Sequence, residues 1–190
     1  MSRIPYPEVS KLPEVTQKTL ANVPLNVVRM CAHASLPLFE AQGQLGRAVA
    51  SPECLDPRVR ETVILRVAHL SNSAYELHHH IPLGRAAGLK DDELAAIASL
   101  DYRALDPLLA ATARFTDEVV TALSPSDETL ASLRKVASDQ VVVNVVLTIG
   151  CYMAIARLAA VTGIEPDAEP LTHLPGSVEE RATQRPPTRR

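Results

Sequence analysis

From Val141 to Ala156 the chain carries sixteen consecutive residues without a charge, closed by Asp139 on one side and Arg157 on the other. No other feature restricts the fold as strongly. A run this apolar must lie in a core, between subunits or in a bilayer. Taken alone, Val142-Val143-Asn144-Val145-Val146 has strand propensity. Asn144, Thr148 and Tyr152, however, recur at every fourth position, which on a helix forms one mildly polar stripe. Sixteen residues also fall short of the ~20 needed to span a bilayer. The spacing therefore predicts a helix over 139–162, stopped by Gly163 and buried on most sides, in the core or between subunits.

The rest of the chain also reads as helix. A helix is expected from near Pro24 into the forties, bent at Pro37. Asp56-Pro57 marks another start, with Asp as N-cap and Pro at the first helical position, running to about Leu70. The next spans roughly 73–87 and ends at Gly88, a residue suited to a left-handed cap. Asp91 caps a short helix through Ala98, 106–123 forms another, and Ser124-Pro125-Ser126-Asp127 opens one more. There is no βαβ alternation, glycine-rich phosphate loop or internal repeat. The chain divides into an irregular N-terminal arm over 1–23, a helical domain over 24–164, and a Pro/Arg-rich tail over 165–190. The tail is expected to be disordered or wrapped on a neighbour.

Composition narrows the functional classes. At 190 residues the chain is long enough to bury a real core. A net charge of -3 gives no footprint for nucleic acid or an anionic membrane. With no Trp, four Tyr and two Phe, packing falls to Ala, Val and Leu. Cys31, Cys54 and Cys151 are odd in number and contain no CxxC spacing, which fits a reducing cytoplasm better than a disulfide framework. The N-terminal residues show no apolar signal core.

The chemistry concentrates in Ser73-Ala74-Tyr75-Glu76-Leu77-His78-His79-His80, with Glu61 upstream. Glu76 and His80 are four residues apart and share a helix face. A carboxylate beside an imidazole can orient it and raise its basicity. Glu61 falls among apolar positions of its helix, either as a buried acid or as a surface Glu paired with Arg58. An ion held by Glu61, Glu76 and His80 is geometrically conceivable, but consecutive histidines diverge by about 100° and cannot all ligate one metal. We expect no metal and no cofactor. His33, Tyr152 and Arg157 are polar residues on otherwise apolar helices. They are satisfied structural residues or pocket residues.

Pro57-Arg58-Val59-Arg60-Glu61-Thr62-Val63-Ile64-Leu65-Arg66-Val67-Ala68, then Tyr75-Glu76, His79-His80 and Ala86-Ala87-Gly88-Leu89, resemble the carboxymuconolactone decarboxylase/alkylhydroperoxidase D-like family. Tyr152-Met153 with Arg157 also resembles the family's last helix. The resemblance implies an all-α, alkylhydroperoxidase D-like helical bundle, assembled as a homotrimer or homohexamer with pockets near subunit contacts. Peroxidase members of that family carry Glu, then Cys-x-x-Cys, then His. Aligned on Glu61 and His80, the two cysteine positions here are Ser73 and Glu76, which cannot form the redox pair.

What remains is an acid–base set. His80 is the expected general acid/base, Glu76 its orienting partner, and Glu61 a second acid/base or electrostatic group. Tyr75, His33, Tyr152 and Arg157 are the expected substrate-binding residues. The expected activity is lyase-like: cofactor-free proton transfer on a small organic acid, lactone or related metabolite, in a cytoplasmic homo-oligomer with no nucleic-acid or membrane partner. Two alternatives are a thiol-dependent hydroperoxide reductase and a non-enzymatic helical oligomer that binds a ligand.

Overall fold

The computed structural model describes residues 2–174. Among these, all regular structure is helical: nine α-helices and two short 3-10 turns, with no strand. The helices are α1 (Glu14–Asn22), α2 (Asn26–Cys31), α3 (Leu36–Ala50), α4 (Pro57–Leu70), α5 (Ala74–Ala86), α6 (Asp91–Ser99), α7 (Pro107–Ala122), α8 (Asp127–Arg134) and α9 (Asp139–Thr162).

The bundle is organised around α4, which packs against α5, α6, α7 and α9. Asp56 starts it by accepting from the N–H groups of Arg58 and Val59, with Pro57 in the first turn. Every residue from Val59 to Ala68 is buried. That burial has a chemical consequence, because α4 also carries Arg60, Glu61, Thr62 and Arg66. Each must find a partner inside the protein or be strongly destabilising. Thr62 donates to the Arg58 carbonyl at 2.8 Å. Arg66 reaches Asp117 on α7 at 2.7 Å and the Ile97 carbonyl on α6. Arg58 pairs with Glu93 at 2.6 Å and Asp106 at 3.3 Å, so it does not serve Glu61.

Helix α9 has the expected span and stops at Gly163 in the left-handed region, φ 68°. Within one copy its cover is partial. It packs against α2, α3, α4, α5, α7 and α8, yet Val143, Leu147 and Val161 are each more than half exposed. One face is therefore uncovered in the single chain, so the domain core of one copy does not bury the helix on most sides. With 24 residues and an 18-residue stretch of mean hydropathy 2.0, it is also long and apolar enough to cross a membrane by length and composition alone.

Three local expectations need correction. The N-terminal arm is not wholly irregular: Glu14–Asn22 is helical, and Thr16 and Leu20 are buried four residues apart, with Leu20 packing beside Ala32 and Phe39. The helix expected from Pro24 into the forties is two helices, α2 and α3. Pro37 lies in the first turn of α3, where its missing N–H has no intrahelical role to lose. Helix α6 is preceded by Lys90, whose N–H donates to Glu93 at 2.9 Å, and Asp91 is already inside the helix.

The described part of the tail lies on its own chain. Asp167 accepts from the Asn26 N–H at 2.9 Å, and Leu174 is buried with Ala50 and Leu83. The tail beyond Leu174 lies outside the described residues.

Candidate active site

Helices α4, α5 and α9 meet at one buried polar centre. Ser73 starts α5 and accepts from the Glu76 N–H at 3.4 Å. In a capping box, a Glu at this position turns back to the N-cap N–H. Here the Ser73 N–H is already bound to the Ala68 carbonyl at 2.9 Å. The Glu76 carboxylate is left to face along the helix to His80, where its Oε2 lies 3.3 Å from Nε2. The other ring nitrogen, Nδ1, is 2.8 Å from Glu61 Oε2. Glu61 Oε1 in turn accepts from Arg60 Nε at 3.0 Å, and Arg60 also donates to the Ala50 carbonyl at 3.0 Å. The result is a continuous chain, Arg60–Glu61–His80–Glu76. Its carboxylates and imidazole are almost fully enclosed, with Glu61 0%, Glu76 3% and His80 3% exposed.

The electrostatics follow from that order. Burial is the largest influence on Glu61 and works against its charge, but His80 and Arg60 outweigh it and hold the pKa below the usual value. For His80, burial likewise opposes charge, but Glu61 and then Glu76 prevail and raise the imidazole pKa. Glu76 has no cation beyond His80. Burial dominates and pushes its pKa up, reinforced by the nearby Glu61 charge. Glu61 is thus the fixed anion. Glu76 and His80 Nε2 face each other at 3.3 Å, close enough to share a proton.

Tyr152 on α9 closes the centre, its ring edge-on to His80 with centroids 5.0 Å apart. The other expected pocket residues fall elsewhere. The Tyr75 hydroxyl donates to Asp167 at 2.7 Å and its ring meets His79, so it belongs to a neighbouring cluster. His33 is bound through Nε2 to the Pro5 carbonyl at 2.8 Å and lines a separate cavity. Arg157 is exposed and donates to the Met153 carbonyl at 3.2 Å. Glu61, not Glu76, is the closer partner of His80.

Arg60, His79 and Asp167 are the residues that sequence reasoning missed. Neighbours on a helix diverge by about 100°, so spacing gives no reason to pair Arg60 with Glu61. Asp167 is 88 residues from His79 in sequence but lies 3.0 Å from its Nε2. The Leu171 N–H donates to His79 Nδ1 at 3.1 Å. A nitrogen that accepts carries no proton, so His79 is neutral and its Nε2–H donates to Asp167. These bonds tie residues 167–171 down over α5.

The chemistry open to this centre is proton transfer. His80 sits between the two carboxylates, so neither of its ring nitrogens is left to ligate an ion. Among the described residues, no group of three or more His, Cys, Asp or Glu is placed to hold a metal. The three cysteines are free. Burial raises the pKa of each, that of Cys151 to about 11, which disfavours the thiolate.

Residues 37–118, from α3 into α7, match the carboxymuconolactone decarboxylase family. Two solved structures share the fold. One is an uncharacterised peroxidase-related protein with an alkylhydroperoxidase AhpD core from Ralstonia eutropha. It is 19% identical, with a TM-score of 0.75 over 88% of this chain and 93% of that one. The other is a candidate AhpD antioxidant-defence protein of unknown function from Agrobacterium tumefaciens. It is 22% identical, with a TM-score of 0.66 over 73% of this chain and 96% of that one. At these identities the likeness speaks to the fold alone. No curated protein matches the chain in sequence. Residues 37–118 are thus similar to the carboxymuconolactone decarboxylase family, on a fold shared with an AhpD core, and within that segment the chain has Ser73 and Glu76 but no CxxC.

Proposed function

We propose that the chain is a carboxymuconolactone decarboxylase-like, cofactor-free acid–base enzyme acting on a small organic acid, lactone or related metabolite. The observation that carries this reading is His80 held between two buried carboxylates of opposite character. Glu61, kept ionised by Arg60, fixes the Nδ1–H tautomer. Nε2 is then the exchanging nitrogen, and Glu76, whose raised pKa favours the protonated acid, shares that proton. In a decarboxylation, loss of CO2 leaves an electron pair on carbon. The Glu76–His80 pair would deliver the proton that fills it and recover one from water. In a lactone or enol isomerisation, the same pair would remove a proton at one carbon and return it at another.

The antioxidant reading is less well supported. It needs a thiolate, and burial pushes all three thiols away from that form. A soluble homo-oligomer is part of the proposal. A second copy covering Val143, Leu147 and Val161 on α9 would remove the exposed apolar face without a bilayer.

The test is a panel of small acids, lactones and enols, screened by thermal shift and then by exchange of carbon-bound hydrogen in D2O. With any substrate found, His80→Gln should lower kcat by ~10²–10⁴-fold with KM little changed. Unchanged turnover in the folded variant would rule out this role for His80.

A further inference from the structure

A substrate cannot touch the acid–base centre while Glu61, Glu76 and His80 stay covered, so part of the structure must move to admit one. The helices around the centre brace one another. The segment after α9 is held differently. Residues 165–174 have no regular structure, and only Leu174 among them is buried. Asp167 ties the segment down by accepting from the Asn26 N–H at 2.9 Å, the Tyr75 hydroxyl at 2.7 Å and His79 Nε2 at 3.0 Å. The Asn26 amide donates to the Glu165 carbonyl at 3.1 Å, and the Leu171 N–H donates to His79 Nδ1 at 3.1 Å. Leu171 and Leu174 then pack on Ala50 of α3 and Leu83 of α5. Both contacts adjoin the centre. The Ala50 carbonyl accepts from Arg60, which in turn donates to Glu61. Leu83 lies one turn on from His80, on the face of α5 that both share with Glu76. The strap therefore crosses the seam between α3 and α5 beside the Arg60–Glu61–His80 chain.

We propose that residues 165–174 are a lid on the acid–base centre, anchored at Ile164, which is buried beside Met30 and Tyr75, and latched by Asp167. Opening breaks the bonds at one aspartate and one histidine and lifts two leucines, while the helices keep their places. A segment with so few buried contacts opens far more readily than the core unfolds. Closing excludes water again from the centre. The lid regulates the site of the proposed function and rests on that reading for its purpose. Its opening does not depend on His80 being catalytic.

Two measurements on the full-length protein, at one neutral pH, test the lid. The first is amide hydrogen exchange in the wild type. The Leu171 amide should exchange about 100-fold faster or more than those of Val63 and Ile149 in the core, with α5 still protected. The second is carbethoxylation of His80 by diethyl pyrocarbonate, located by mass spectrometry. Asp167→Ala removes the latch, and Leu174→Ser removes the apolar anchor while leaving the latch residues in place. Each should raise the His80 labelling rate about tenfold or more by enlarging the open population. Ile97→Val, in the core away from the strap, controls for general loosening and should label near the wild-type rate. A Leu171 amide that exchanges only together with the core would overturn the lid. So would an unchanged His80 rate in both folded strap variants, or an equal rise in Ile97→Val. Neither readout uses turnover. Unchanged turnover in folded His80→Gln, beside strap-dependent labelling in the wild type, would remove the acid–base reading and leave the lid standing.

Discussion

His80 Nδ1 lies 2.8 Å from Glu61 Oε2, and both side chains are sealed from solvent. The contact joins α4 to α5 and leaves each group dependent on the other. Removing one partner of a buried pair leaves the second charge uncompensated, which typically costs about 3–5 kcal/mol. Glu61→Gln should therefore destabilise the protein by that order in urea unfolding, with Arg60 also left without its carboxylate. Glu76→Gln should be milder, because burial already works against the Glu76 charge and raises its pKa. A smaller effect for Glu61→Gln than for Glu76→Gln would contradict the assignment of Glu61 as the fixed anion.

The same pair sets a pH dependence. The folded pKa of His80 is raised, so its contribution is fully present below about 6.5 and is lost as pH rises through the higher folded value. The folded pKa of Glu61 is lowered, so its contribution is present above about 4.5 and is lost as pH falls through the lower folded value. Glu76 has a raised pKa and favours the fold less as pH climbs past the ordinary carboxylate range. The Tm difference between wild type and His80→Gln should accordingly be largest between about pH 4.5 and 6.5 and shrink at higher pH. A difference that grows with pH would reverse the sign and refute the coupling.

His79 behaves in the opposite sense. Burial lowers its pKa despite Asp167, and its Nδ1 accepts from the Leu171 N–H. A second proton on the ring would remove that acceptor. Acidification below about 6.5, through the lowered folded value, should loosen residues 167–171. The Leu171 amide signal in 15N NMR should move toward an exposed position on that side, and His79→Gln should remove the transition. An amide that does not respond across this range would show that the ring bond does not hold the segment.

The thiols should be inert in the native protein. Cys151 is 2% exposed, with a pKa pushed up to about 11 by burial. Ellman's reagent at neutral pH should label it only after unfolding. Replacing Cys31, Cys54 and Cys151 together should leave any native activity largely intact, and dithiol-driven peroxide turnover should be absent. Loss of activity in a folded triple variant would bring the thiol-dependent reading forward.

The exposed face of α9 predicts self-association. Light scattering should give an oligomer at micromolar concentration, and Leu147→Glu with Val143→Glu should shift it toward monomer while helicity by circular dichroism is kept. A stable, active wild-type monomer would contradict the proposal that a second copy covers this face.

Much of this molecule is determined locally. Asp56-Pro57 starts α4, and Gly163 ends α9, because capping and the left-handed turn depend on a few adjacent residues. Glu76 and His80 were placed together by a single turn of helix. The tertiary fold decided the rest. Whether Glu61 faced Arg58 or the interior depended on α4 being surrounded, and helical spacing cannot report that. Arg60 joined the centre because burial left it no water, so its guanidinium turned to the adjacent carboxylate. Asp167 met His79 and Tyr75 only because the chain returns from α9 across α5. Contacts made by distant segments depend on which surfaces the bundle leaves available, and those are set by packing, not by the order of residues along one helix.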